Sequence, residues 1–261
     1  MSKIEIRRGD GPLVLGLPHT GTDVPEDCLA RLNDTGHALS DTDWHIDRLY
    51  DGLVQNVTSV RTATHRYVID VNRDPSGKSL YPGQNTTELC PLSDFDGAPI
   101  YVKGQEPDAA EVARRCAAYH APYHAALEAE LARVKAIHGF AMLYDCHSIR
   151  SHIPFLFDGT LPDFNVGTNS GNACAPSIEA AVGRICRDAA GYATILNGRF
   201  KGGWTTRHYG RPADGVHAIQ MELAQSTYML ERAPWDYVEN RAERTRVHLK
   251  TILETLSDWR P

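Results

Sequence analysis

Short apolar runs separated by amphipathic stretches set the pattern of this chain. Strand-like runs occupy Ile4–Arg7, Leu13–Leu17, Ser59–Thr64, Tyr67–Val71, Phe140–Asp145, Ile153–Phe157, Asn165–Thr168, Ala193–Leu196 and Val216–Leu223. Several are continuous apolar stretches, the signature of strands buried on both faces. Helical spacing lies between them, at Thr42–Val57 (Trp44, Ile46, Leu49, Leu53), Pro107–Ile137, Ala175–Ala190 and Pro234–Leu256. Asp41 or Thr42 suits the first helix as a cap, and Gly139 suits the end of the second. Strands alternating with helices predict an α/β fold with a mixed, mostly parallel sheet flanked by helices. No linker, repeat or low-complexity tract interrupts the 261 residues, so one domain spanning 1–261 is expected.

Two segments break the periodicity. Asn72–Gly104 and Gly198–Gly215 are rich in Gly, Pro and polar residues. Connections this long without their own pattern are usually functional or disordered.

Three of the apolar runs lead into ionisable residues: Leu17-Pro18-His19, Tyr144-Asp145-Cys146-His147 and Gln220-Met221-Glu222. In open α/β sheets ligands bind beyond the carboxyl ends of the strands, so these positions converge where chemistry belongs. His19 and His147 are candidate metal ligands. Asp145 is a candidate for orienting His147 from behind. Glu222 is a candidate general base, with a salt bridge to Arg207 or Arg211 as the structural alternative. Cys146 lies between two polar strand residues and should face the opposite side, into the core. Asp43 and Asp47 are four apart and would share a helical face. Either is a plausible carboxylate ligand for a site of two histidines, one carboxylate and an open water position. His120 and His124 also have helical ligand spacing. The pair lacks the intervening Glu of a helix-borne metal motif, contains Pro122 and sits in an exposed-looking Ala/Glu/Arg helix, so surface or satisfied histidines are expected.

Composition narrows the partners. The formal charge of −6 excludes a general phosphate-binding surface, and no nucleic-acid partner is expected. Asn72, Arg73, Lys201 and Arg207 nevertheless concentrate donors in the two irregular loops. That arrangement suits a small dicarboxylate, since Arg forks match carboxylates. No apolar run reaches about 18 residues, so no membrane partner is expected. The six cysteines form no C-x-x-C pair and no secretory signal is apparent, which suits reduced thiols in the cytoplasm. The oligomeric state is not legible.

The runs Leu17-Pro18-His19-Thr20-Gly21-Thr22, Asp41 through Tyr50, Val71-Asn72-Arg73-Asp74-Pro75, Asp145-Cys146-His147-Ser148, Phe200 through Gly210 and Gln220 through Gln225 span most of the chain. Taken together they resemble the N-formylglutamate amidohydrolase family. The resemblance implies a fold like that of zinc carboxypeptidase and aminoacylase hydrolases. It also implies hydrolysis of N-formyl-L-glutamate to formate and L-glutamate, a step of histidine breakdown. It further implies His19 and His147 as ligands of a divalent metal, with zinc the expected ion, Glu222 as general base, and Arg73 and Arg207 on the substrate carboxylates. The acidic residue expected three places after the first histidine is Thr22 here, so Asp43 is taken as third ligand, with Asp47 as the alternative. Hydrolysis of another N-acyl amino acid or small amide is the alternative activity. A non-catalytic amino-acid-binding module is the alternative class.

Overall fold

The computed structural model describes residues 3–80 and 83–261. Seven strands form one mixed sheet: β1 (Ile4–Arg7), β2 (Leu13–Leu17), β3 (Thr58–Thr62), β4 (Ala141–Ile149), β5 (Phe164–Gly167), β6 (Thr194–Leu196) and β7 (Val216–Ala224). Their order is β1-β3-β2-β4-β7-β5-β6. The centre, β3-β2-β4-β7, is parallel. β1 joins β3 antiparallel and β5 joins β7 antiparallel, while β5 and β6 pair parallel.

Eight α-helices are present among the described residues. They are α1 (Glu26–Leu29), α2 (Asp34–His37), α3 (Ile46–Tyr50), α4 (Ala109–Arg115), α5 (Ala121–His138), α6 (Pro176–Asp188), α7 (Trp204–Tyr209) and α8 (Glu239–Asp258). None of them is long and apolar enough to cross a membrane.

Strand alternation divides the core. Met142, Tyr144 and Cys146 of β4 and Ile219, Met221 and Leu223 of β7 face one side, packed against α3, α6 and α8. Ala141, Leu143 and Ala218 face the other side with Val14 and Val60, under Tyr123, Leu127, Leu131 and Val134 of α5. Toward the carboxyl ends, this second face changes from apolar to ionisable side chains. Cys146 lies in the core, as its parity requires.

The predicted α/β architecture is present, with several differences of extent. The Thr42–Val57 helix is reduced to Ile46–Tyr50. His45 adopts φ +61, which no helix continues through, and Gly52 sits at φ +70 just beyond. Tyr67–Val71 and Ile153–Phe157 are turns and irregular chain, with Val68 N bonded to His65 O and Phe157 N to Ile153 O. Tyr67–Val71 is buried by packing and Ile153 anchors the second run, so apolarity alone mimics a strand. Residues 109–138 form an unbroken helical stretch containing a five-residue π turn, Cys116–His120, just ahead of Pro122. Proline lacks an N–H and collides with the carbonyl four residues back, and a wider turn relieves both. Asp108 caps the start, accepting from Glu111 N at 2.8 Å, and Gly139 ends the stretch at φ +80.

Candidate functional site

The site is built on the ionisable ends of β2, β4 and β7. The β4–β7 register pairs Asp145 with Gln220 and His147 with Glu222. The two-residue period then puts all four on the face that α5 covers lower down. The apolar pattern stops β4 at Asp145, but the strand runs on to Ile149. His147 is therefore held by strand pairing on both sides of its position rather than by a loop. His19 follows β2 by two residues, and Asp43 N donates to its carbonyl at 3.0 Å.

Three buried side chains meet at one point. His19 Nδ1 lies 3.2 Å from His147 Nδ1. Asp43 Oδ2 lies 3.7 Å from the first and 3.4 Å from the second. The far nitrogens are both backed by carboxylates: His19 Nε2 by Asp70 Oδ1 at 2.7 Å and His147 Nε2 by Asp145 Oδ2 at 3.1 Å. With the far nitrogens protonated against their carboxylates, both Nδ1 lone pairs and the Asp43 oxygen would be free to hold a cation between them. Tetrahedral zinc with nitrogen and oxygen ligands at about 2.0–2.1 Å spaces its ligands about 3.3 Å apart. The observed edges bracket that spacing, so these residues fit a divalent cation. Carboxylates behind the histidines are the usual outer support of such ligands.

Helical spacing places Asp43 on a helix. It lies instead in the chain ahead of α3, where Ser148 N donates to its Oδ2 at 3.0 Å. Its other oxygen is buried without a hydrogen-bond partner and lies 3.6 Å from Arg66 Nη1. Asp47, the alternative, is on α3, partly exposed, and 3.6 Å from Arg61.

The electrostatics follow from burial and proximity. Burial opposes charge on His147, but the adjacent Asp145 and Asp43 outweigh it and hold its pKa well above the ordinary value. Burial likewise opposes charge on Asp43, and the adjacent His147 and His19 imidazoles overcome it, holding its pKa below the ordinary carboxylate value. Glu222 has no such pair. Burial lifts its carboxyl to about 8, with His147 pulling down and Asp43 pushing up. Gln220 Nε2 donates to Glu222 Oε2 at 3.1 Å; neither Arg207 nor Arg211 bridges to it. Asp70 is pulled well below the ordinary carboxylate range. Arg66, Arg73 and His19 outweigh its burial, and Arg66 Nη2 sits 2.6 Å away.

A small cavity of about 70 Å³ opens beside these groups. His19, His147 and Glu222 line it on the metal-candidate side, with Asn72, Arg66, Arg73 and Arg199 among its other walls. Arg73 is fixed by Thr87, its Nε on the carbonyl and its Nη2 on the hydroxyl, each at 3.0 Å. Asn72 Oδ1 accepts from Thr205 N at 2.9 Å, and its Nδ2 is 3.2 Å from His147 Nε2. Lys201 and Arg207 lie outside the cavity lining. Arg207 Nε donates to Gly202 O at 2.9 Å and its Nη1 reaches Leu80 O, tying the second irregular loop to the first.

The sequence pattern does not single out Arg66 and Arg199, nor Asp70 as a support of His19. The short spacing Arg66-x-x-x-Asp70-x-Asn72-Arg73 is the available signal, four polar residues interleaved with an apolar run.

A sheet that gathers two histidines, a carboxylate and a buried glutamate at its carboxyl edge carries the groups of an amide hydrolase, with a donor set compatible with a cation. Known relatives narrow this class. The family model for N-formylglutamate amidohydrolase matches residues 11–229, and the chain belongs to that family. It is 48% identical over 258 residues to an N-formylglutamate deformylase of Pseudomonas aeruginosa, covering 98% of this chain and 96% of that one. It is 45% identical to a protein of the same name from Pseudomonas putida, with the same coverage. The crystal structure of an N-formylglutamate amidohydrolase from Ralstonia eutropha JMP134 superposes with a TM-score of 0.79 at 26% identity, covering 98% of both chains.

Proposed function

We propose that this chain hydrolyses N-formyl-L-glutamate to formate and L-glutamate, the reaction named in its Pseudomonas relatives, and that it serves histidine breakdown. In this reading His19, Asp43 and His147 hold a divalent cation, zinc by the donor set. The observation that carries the reading is the register pairing of His147 with Glu222, which sets a carboxylate beside the three converging ligand atoms. A cation there supplies Lewis acidity and makes water a stronger acid.

The protein's own groups do the rest. Glu222 takes the proton of the attacking water and returns it to the departing amine nitrogen as the formyl C–N bond breaks. Its buried position raises its basicity, so it is matched to proton transfer near neutral pH. Arg66, pinned by Asp70, offers positive charge to the developing oxyanion without having to reorganise. Arg73 and Asn72 hold a substrate carboxylate at the cavity wall. Arg207, outside the cavity lining, steadies the segment whose Phe200 and Gly203 line it, through its bonds to Gly202 O and Leu80 O.

The test is formate release from N-formyl-L-glutamate, measured before chelation, after it, and after zinc is restored. Turnover that disappears with the chelator and returns with zinc supports both the reaction and the cation. No formate from zinc-loaded protein rejects this substrate, and N-acetyl and larger N-acyl glutamates then become the substrates to assay.

A further inference from the structure

His120 and His124, outside the candidate metal centre, lie buried beside Trp204 and Tyr209 of α7. Each imidazole faces a backbone carbonyl of the chain segment that carries Asn72 and Arg73. His124 Nε2 donates to Val71 O at 2.7 Å and His120 Nε2 donates to Arg73 O at 3.0 Å. The two bonds straddle Asn72. With its Nε2 proton committed, His124 accepts at Nδ1 from the Tyr209 hydroxyl at 3.0 Å. From the same short helix, Thr205 N donates to Asn72 Oδ1. Burial lowers the pKa of both histidines, His124 to about 3, so both rings are neutral with one donor each, which is what two carbonyls require.

The π turn ends at His120, and the regular helical turn that follows sets the two rings, four residues apart, at 4.4 Å between centroids. Trp204 meets both rings edge-on, at 5.6 and 4.6 Å, closing the cluster from the α7 side.

We propose that His120 and His124 are positioning residues: a two-histidine clamp, at the junction of the π turn and α5, that fixes the Val71–Arg73 backbone so that Asn72 and Arg73 face the cavity. The clamp rests on the proposed role of Arg73 and Asn72 in holding substrate. His124→Leu removes the donor and the acceptor but keeps an apolar filler. His124→Gln keeps a terminal N–H that can still reach Val71 O.

Two measurements test it together. The first is hydrogen exchange at the Asn72 and Arg73 amides, which bond to Asp70 Oδ1 at 2.9 Å and Asp70 O at 3.1 Å. The second is KM and kcat for N-formyl-L-glutamate at full metal content. In His124→Leu, one lost buried hydrogen bond should speed exchange at these two amides about tenfold, with β4 and β7 amides unchanged. KM should rise about tenfold, with kcat falling less than about threefold. His124→Gln should recover most of both. Unchanged exchange at 72 and 73 overturns the clamp, as does faster exchange with an unaltered KM. Equal losses in Leu and Gln reduce the histidine to a space-filler and overturn it too. A parent enzyme inactive on N-formyl-L-glutamate rejects the proposed substrate instead, and the exchange data still decide the clamp.

Discussion

Replacing Glu222 with glutamine should move activity and stability in opposite directions. The side chain is 7% exposed, and its one hydrogen bond comes from Gln220 Nε2 at 3.1 Å. An amide of the same shape retains an oxygen for that bond. The ionised carboxylate, by contrast, suffers from burial that His147 only partly offsets, which lifts its pKa to about 8 against 4.5 for an ordinary glutamate. A raised folded-state pKa means that the folded protein holds the proton more tightly than the unfolded chain. The charged form's penalty is therefore absent below 4.5, grows between 4.5 and 8, and is complete above 8. At pH 7 the metal-free protein carries about 3 kcal/mol of that penalty, roughly 1.4 kcal/mol for each pH unit above the unfolded pKa. Glu222→Gln, which cannot titrate, should gain about that much in urea unfolding at pH 7 and almost nothing at about pH 4. Meanwhile loss of the proton acceptor should lower kcat by about 10²–10⁴-fold with zinc content unchanged. A stability gain independent of pH, or none at pH 7, would refute the argument from burial. Preserved turnover would remove Glu222 from its chemical role.

The acid limb of kcat/KM should fall between 4.5 and 8, since a bound cation pulls Glu222 down from its metal-free position and activity vanishes as the base is protonated. A pH-rate profile that is flat across that window contradicts this assignment. Asp70→Asn would set an amide N–H against the buried Arg66 guanidinium, which should cost about 3–5 kcal/mol in denaturant unfolding. It should also weaken zinc binding about 10–100-fold in a competition titration, and an unchanged zinc affinity would show that Asp70 does not support His19 as a ligand. Gly203→Ala would place a methyl group 2.3 Å from the Asn72 amide nitrogen, so Asn72 must leave its seat. A drop of about tenfold or more in kcat/KM is expected, with about 1–3 kcal/mol lost from packing strain, and wild-type kinetics would show that Asn72 does not need that seat. Arg73→Ala should raise KM for N-formyl-L-glutamate far more than it lowers kcat; the reverse pattern would assign Arg73 to the chemical step instead.

The parts of this molecule that are legible in its sequence are those fixed by local pattern. Runs such as Leu13–Leu17 and Ala141–Tyr144 are apolar because both sheet faces are covered, the polar residues after them mark His19 and His147, and the alternation Gln220-Met221-Glu222 carries Glu222. Parity alone places Cys146 in the core. What escapes is decided by distant partners. Asp43 is drawn out of a helix by Ser148 N and His19 O, 105 and 24 positions away, and no periodicity encodes that. Asp70 and Arg66 read as an ordinary polar pair, and their value lies in what they touch across the fold, His19 from another strand end. Tyr67–Val71 looks like a strand because burial demands apolar residues whatever the backbone does. His120 and His124 lack the pattern of metal ligands, yet their surroundings are interior, which helical spacing of Ala and Glu conceals.

The register between β4 and β7 has a consequence for how this protein can fail. Asp145, His147, Gln220 and Glu222 share one face only because the strands align residue for residue over nine pairs. A slip of one position in either strand would turn its polar set into the apolar layer and present Cys146 or Met221 in its place. At full metal content a preparation should therefore divide into competent and inert molecules, and its specific activity becomes a count of correctly paired chains.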